Sequence, residues 1–359
     1  MGQTKEYYLY TENLTVGYNG QPLIRDIKIG VRPGEILTLI GPNGAGKTTI
    51  LKSIIRQLSP LAGVVYLNGQ GMQEYSGQEL SEKMSVVLTD RVHPEMMSCE
   101  EVVATGRYPY TGKFGVLSEA DHRIVREAME LVHITDLAER DFERTSDGQK
   151  QRIMLARALC QQPDIIVLDE PTSFLDIKYK LEFLSILQRM TREKHLAVIM
   201  SLHELDLAER ISDQIACIKG DRMERFGTPE EIFTDGYIPK LYDMTVGSFG
   251  EPTGTPELAA VTGVPQVFVI AGCGTGLPVY RRLQRQGIPF ATGILFENDI
   301  DYPTAKALAA QVISVPAFSP ISQETLSLAK EIRKNCGQVI CAVTPEQMGS
   351  VWECMKELL

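Results

Sequence analysis

Gly41-Pro-Asn-Gly-Ala-Gly46-Lys47-Thr48-Thr49 fits the phosphate-loop pattern G-x-x-x-x-G-K-[ST] at every fixed position. An apolar run, Glu35-Ile-Leu-Thr-Leu-Ile40, precedes it, and Thr49-Ile-Leu-Lys-Ser-Ile-Ile carries helical spacing beyond it. Strand, loop and helix in that order is what the chemistry needs. Glycines let backbone N–H groups curl around phosphate oxygens, and the helix turns its positive end toward them. The pattern assigns Gly41, Asn43, Gly44, Gly46 and Thr49 to a nucleotide cradle. It sends Lys47 to the β- and γ-phosphates of a nucleotide and the Thr48 hydroxyl to Mg²⁺. The plainer reading, a glycine-rich turn met by chance, is disfavoured by the flanking strand and helix.

A second element completes the site. Ile165-Ile-Val-Leu-Asp169-Glu170 is an apolar strand that ends in two carboxylates. A buried strand delivers Asp169 to its C-terminal edge, where it would hold Mg²⁺. Glu170, one residue on, would polarise the attacking water. An acidic helix cap after a core strand is the alternative, and the upstream phosphate loop argues against it.

Composition narrows the classes. A length of 359 residues allows two domains with their own cores. A net charge of −10 argues against general nucleic-acid binding, which favours basic patches. No run of apolar residues is long enough to span a membrane, and the first residues lack the apolar centre of a secretion signal. The seven cysteines include no Cys-x-x-Cys pair, which fits a reduced, cytosolic protein. Cys336 and Cys341 flank a strand-like run and are expected to be buried thiols rather than metal ligands.

Along the chain, residues 8–40 alternate strand-like runs with turns at Asn19-Gly20 and Pro33-Gly34. Residues 98–160 are mostly helix-patterned, with Val125, Met129 and Val132 at helical spacing. A helix over 177–191, a strand over 197–201 and further strand-like pieces at 214–226 close a first domain, 1–246. Residues 247–265, rich in Gly, Pro and Thr, read as a linker. Beyond it, strands at 266–270, 290–296, 311–315 and 338–342 alternate with helices at 277–286, 302–310, 322–334 and 345–358. That alternation implies a small parallel α/β domain, 266–359.

Between the two nucleotide motifs lies Thr145-Ser146-Asp147-Gly148-Gln149-Lys-Gln-Arg152. Phosphate loop, Ser-x-Gly-Gln and strand-Asp-Glu together resemble the ATPase subunits of ATP-binding cassette (ABC) transporters, over about residues 8–245. The resemblance implies an α/β phosphate-loop NTPase cassette with an antiparallel β subdomain and a helical subdomain. It implies ATP hydrolysis with Mg²⁺, in a homodimer that closes on ATP. The usual run in that family is Leu-Ser-Gly-Gly-Gln, so Thr145 and Asp147 depart from it. By the same resemblance Ser146, Gly148 and Gln149 face the nucleotide of a partner subunit, and Asp176 lies in the loop joining two subunits. Tyr18 stacks on adenine, and His203 contacts the γ-phosphate and positions water. The glutamine that normally senses Mg²⁺ is absent; Thr89, followed by Asp90, stands in its place.

Glu100-Glu-Val-Val-Ala-Thr-Gly106-Arg107-Tyr-Pro109-Tyr resembles the subfamily that powers import of iron–siderophore complexes, haem and cobalamin. This implies a peripheral protein on the cytoplasmic face, docked on separate permease subunits served by a substrate-binding protein. A soluble ABC ATPase of translation or DNA repair, and a metabolite-binding regulatory ATPase, are the competing readings.

The second domain opens with Val267-Phe-Val-Ile-Ala-Gly272-Cys-Gly274-Thr-Gly276. Its glycine turn approaches a dinucleotide fingerprint, with Leu277 at the third glycine position and Glu297 where a ribose-binding acid could sit. A small-molecule site and a dimerisation or structural element are both open readings of this domain.

Overall fold

The computed structural model describes residues 6–88, 94, 96–112, 115–173, 175–234, 236–250 and 254–359. Thr89, Asp90 and Phe174 lie outside these described residues. The chain divides into two compact units, Met1–Tyr237 and Ile238–Leu359.

The first unit begins with an antiparallel layer. β1 (Leu9–Tyr18) and β2 (Gln21–Ile27) form a hairpin closed by Asn19 and Gly20. Both turn residues have positive φ, 50° and 75°, the backbone that a two-residue hairpin turn requires. β3 (Gly30–Val31) and β5 (Ala62–Leu67) also pair with β1, and β6 (Gln70–Gly71) pairs with β5. β4 (Ile36–Ile40) instead enters the parallel layer, in the order β10-β4-β9-β8-β7. The partners are β7 (Met84–Val87), β8 (Ile165–Leu168), β9 (Ala197–Ser201) and β10 (Gln214–Lys219), with β11 (Arg222–Gly227) antiparallel to β10. Every residue of β4, β8 and β9 is buried, which is why these strands read as continuous apolar runs.

Helices flank this sheet. α1 (Lys47–Ile54) follows the phosphate loop directly and packs Ile50, Leu51 and Ile54 into a core with Leu37, Leu39, Ile165, Val167 and Ile199. α2 (Gly77–Lys83) leads into β7. The helical subdomain holds α3 (Cys99–Ala104), α4 (Glu119–Leu131) and α5 (Asp147–Cys160), and the expected stripe Val125, Met129 and Val132 is buried there. α6 (Ile177–Lys194) and α7 (Leu205–Ile211) follow β8 and β9, and the short α8 (Pro229–Ile232) and α9 (Tyr237–Leu241) come next.

In the second unit β12 (Ser248–Gly250) and β13 (Thr255–Glu257) form an antiparallel ribbon within the stretch read as a linker. Gly250, Gly254 and Pro256, three of the residues that signalled a linker, lie in or beside that ribbon. β14 (Val267–Ile270), β15 (Phe290–Phe296), β16 (Gln311–Val315) and β17 (Gln338–Cys341) make an all-parallel sheet in the order β16-β15-β14-β17. Val267 and Val269 face one core with Tyr280 and Phe290, while Phe268 and Ile270 face another with Leu326 and Ile332. Both faces are covered, by α10 (Gly276–Arg285), α11 (Tyr302–Leu308) and α12 (Gln323–Lys334).

Two expectations need correction. The last helix is broken: α13 (Pro345–Met348) stops at Gly349, whose φ is +52°, and α14 (Trp352–Met355) restarts after a 3₁₀ turn. Cys341 is exposed and Cys336 half-buried, because β17 lies at the sheet edge.

Candidate functional site

The parallel register builds the site. Leu168 pairs with Met200 and Leu39 with Ser201, so three strand ends meet at one edge. There the phosphate loop leaves β4, Asp169 and Glu170 leave β8, and His203 follows β9. The loop glycines have distinct reasons. A Cβ on Gly41 would stand 2.1 Å from Ile218 O, and one on Gly46 would stand 2.6 Å from Ile24 Cδ1. Both, with Gly44, also have positive φ.

Lys47 Nζ donates to Gly41 O at 2.8 Å and to Pro42 O at 3.2 Å. Burial lowers its pKa, and the carboxylates of Glu170 and Asp169 oppose that shift. A cavity of about 390 Å³ lies in front, lined by Asn43, Gly44, Lys47, Thr48 and Thr49 with Glu170 and His203 opposite. Tyr18, about half exposed at the end of β1, brings its hydroxyl 3.3 Å from Thr49 Oγ1.

Asp169 is only 1% exposed. Its Oδ1 accepts from Ser201 Oγ at 2.7 Å and from Thr48 Oγ1 at 3.2 Å. Glu170 sits in the left-handed backbone region, φ +47°, a costly position for a residue with a Cβ. Its N–H donates to the same Ser201 Oγ at 2.9 Å. Its carboxylate pairs with His203 Nε2 at 2.5 Å through Oε1, and Oε2 accepts from Ser173 Oγ at 3.3 Å.

Sequence reading missed two parts of this arrangement. Ser201 Oγ bridges both carboxylate residues, and the parallel register of the two apolar strands was the signal that could have found it. Glu204 accepts from Thr172 Oγ1 at 3.0 Å and pairs with Lys180, tying the turn after Glu170 to α6 and to the residue after His203.

The other expected residues stand apart from the cavity lining. Ser146 caps α5: its Oγ accepts from Gln149 N–H, and the Gln149 side chain accepts from Ser146 N–H at 2.9 Å. Ser146 and Asp147 are exposed, whereas Gly148 is buried with its α-carbon side toward Tyr179 and Leu175. Asp176 caps α6, accepting from Tyr179 N–H at 3.1 Å. One chain therefore lines one cavity with the phosphate loop, Glu170 and His203, and sets Tyr18 and Asp169 against that loop through Thr49 and Thr48. The exposed N-terminus of α5 is a second, separate helix end.

Comparison with known proteins supplies the family. Residues 24–173 match the ABC transporter family. The uncharacterized ABC transporter ATP-binding protein MJ0873 of Methanocaldococcus jannaschii is 43% identical over 288 residues, 80% of this chain and 99% of that protein. The chain belongs to the ATP-binding proteins of ABC transporters. This ABC ATPase is accordingly an ATP-binding, ATP-hydrolysing protein. The iron(3+)-hydroxamate import ATP-binding protein FhuC of Bacillus subtilis is 35% identical, covering 68% of this chain and 91% of the relative. The cobalamin import ATP-binding protein BtuD of Halobacterium salinarum is 30% identical over 323 residues, 88% of this chain and 81% of the relative.

Among solved structures, cbiO1 of Clostridium perfringens, part of the transporter complex cbiONQ, has a TM-score of 0.57 at 25% identity, covering 66% of this chain and 94% of that one. A dimeric post-hydrolysis state of the ATP-binding cassette MJ0796 with ADP and Pi has a TM-score of 0.55 at 23% identity, covering 62% and 98%. The second unit of the ABC ATPase has a match of its own: residues 290–357 fit the MJ0874 family. Among the described residues no helix is long and apolar enough to cross a membrane.

Proposed function

We propose that this ABC ATPase powers import of an iron–siderophore complex, haem or cobalamin through a separate membrane permease. The observation that carries the reading is the import function named for FhuC and BtuD, relatives of which this chain covers most of the length. Cobalamin has one further support. An aligned stretch of 323 residues cannot fit within a first unit that ends at residue 237, so likeness to BtuD continues into the second unit.

The chemistry follows from the site. The loop amides and Lys47 bind the β- and γ-phosphates of ATP, and Tyr18 stacks on adenine. Thr48 Oγ1 and Asp169 Oδ1, already 3.2 Å apart, are the oxygens suited to a hard cation. A bound Mg²⁺ would neutralise charge between the phosphates there. Thr89, the third candidate, lies outside the described residues. Glu170 takes the proton of the attacking water, and His203 holds that carboxylate in place. Ser146, Gly148, Gln149 and Asp176 serve the site of a second copy, so ATP is enclosed between two subunits. Arg107, at the centre of the segment that resembles importers, is buried, while the neighbouring Tyr108 is 57% exposed and offers an aromatic contact to a permease. On this reading the protein is peripheral, on the cytoplasmic face, and works with a substrate-binding protein through the permease.

The test is a pull-down from native membranes in the presence of ATP, with tagged Glu170→Gln protein as bait. A polytopic permease together with a substrate-binding protein is the expected catch. Ribosomal proteins or DNA-repair factors without a permease would overturn the importer reading.

A further inference from the structure

The glycine loop after β14 has the outline of an anion site, and the chain fills it with its own carboxylates. Asp301 is fully buried, and its oxygens accept from the N–H groups of Gly276 at 2.8 Å and Leu277 at 3.2 Å, at the start of α10. Asp299 accepts from Cys273 N–H at 2.9 Å and from Asp301 N–H at 2.8 Å. A Cβ on Gly272 would stand 3.2 Å from Asp299 Oδ2, which fits a glycine at that position. Helix-end donors engaged in this way are not free for a phosphate, and two carboxylates beside them repel one. The fingerprint seen in the sequence is therefore closed to a dinucleotide pyrophosphate.

Beside the filled loop lies an open pocket of about 420 Å³, lined by Cys273, Phe296, Asn298, Asp299, Ile300 and Phe318. Its volume falls in the range of small-molecule sites. Two of its apolar side chains are turned to solvent: Ile300 is 61% exposed and Phe318 is 93% exposed. Phe318 is held at φ +60°, where a bulky residue is disfavoured. Among the described residues, none that line this pocket is a lysine, arginine or histidine. Aromatic rings with a carboxylate and no counter-cation suit a positive charge on an apolar body.

We propose that this pocket binds a phosphate-free organic cation with an aromatic or apolar body, about the size of a substituted nucleoside. The phenyl rings of Phe296 and Phe318 cover the body, and Asp299 faces the charge. This assignment concerns the second unit alone and is independent of the cargo.

S-adenosylmethionine, a sulfonium without phosphate, is the probe. It is titrated calorimetrically into the full chain with ADP and Mg²⁺ saturating the phosphate loop. Saturable binding is expected, with S-adenosylhomocysteine, which lacks the sulfonium charge, about tenfold weaker. Asp299→Asn keeps an oxygen for the Cys273 amide and removes the charge. It should bring S-adenosylmethionine down to the affinity of S-adenosylhomocysteine and leave the latter unchanged. Phe318→Ala, at a ring the core does not use, should weaken both ligands. No binding of S-adenosylmethionine, equal affinity for the two ligands, indifference to both substitutions, or tighter binding of NAD than of S-adenosylmethionine would each overturn the proposal.

Discussion

Ser201 Oγ carries two jobs at once, donating to Asp169 Oδ1 and accepting from the N–H of Glu170. The second bond supports Glu170 in its left-handed backbone, and so aims the carboxylate at His203. Hydrogen bonds to charged groups are worth about 1.5–3 kcal/mol, so Ser201→Ala should lower kcat by about tenfold to a hundredfold with a smaller change in KM for ATP. Ser201→Thr, which keeps the hydroxyl, should recover most of the rate; equal loss in both variants would mean that packing at β9, and not the hydroxyl, matters. Glu170→Gln removes the proposed general base and keeps the shape. Steady-state hydrolysis should fall by about a hundredfold or more while ATP still binds, and a parental rate would reject the role given to Glu170. Lys47, Asp169 and Glu170 were legible in the sequence because each belongs to a motif of fixed local spacing, whereas His203 was reached only through the resemblance to ABC ATPases. Ser201 was not, because its partner Asp169 is 32 residues away and only the register of β8 on β9 brings them together.

Helices in this chain announce their starts in sequence and hide what those starts do. α2, α3, α4 and α5 each begin with a serine whose hydroxyl accepts from the third helical residue, which returns the bond. In α4 that return residue is Asp121, and it does more than cap. Its Oδ1 accepts from Arg107 Nε at 2.9 Å, and Arg107 also donates to Cys160 O and lies over the Tyr110 ring at 4.0 Å. This staple joins the importer-like segment to α4 and α5. Hydrogen bonds from Ser118, then from Arg107, pull the Asp121 carboxyl down to about 2. Because the folded-state pKa is depressed, this stabilisation is complete above the ordinary carboxylate range and is lost as pH falls through about 2. Asp121→Ala should destabilise the protein at neutral pH by about 3 kcal/mol, since it strands a buried guanidinium. Denaturant melts from pH 7 to pH 2 should then show the gap between variant and parent narrowing toward acid; a gap constant with pH would assign the loss to the cap geometry alone. The strand–helix alternation of the second unit was equally readable, since both faces of its sheet are covered and its strands are short, mostly apolar runs. The break at Gly349 and the carboxylate filling of the α10 N-terminus were not, because the first depends on one residue's φ and the second on Asp301, 25 residues downstream of Gly276.

At the level of the whole molecule, the proposed closed dimer would divide each hydrolytic site between two copies. The cavity before the phosphate loop is lined by Glu170 and His203 on one side and lacks the α5 N-terminus, where Ser146 stands exposed with its capping bonds made. If α5 of a second copy closes that cavity, two different defects in two copies can complement each other. Lys47→Ala removes the phosphate ligand of its own loop and leaves its α5 intact. Ser146→Arg places a bulky cation at the α5 N-terminus and leaves its own loop intact; it gives up the serine cap, a cost of about 1 kcal/mol at an exposed position, which the fold should withstand. Neither variant alone can form a complete site in a homodimer. In a mixture, each heterodimer contains one complete site, built from the loop of the Ser146→Arg copy and α5 of the Lys47→Ala copy, and one site that is doubly broken. Mixing the two purified variants should therefore restore ATP hydrolysis that neither shows by itself, with a dependence on their ratio that peaks at equal amounts. Activity in the Ser146→Arg protein alone, or no gain on mixing, would mean that α5 does not reach across to a partner's nucleotide, and the closed dimer would have to be abandoned as the hydrolytic form.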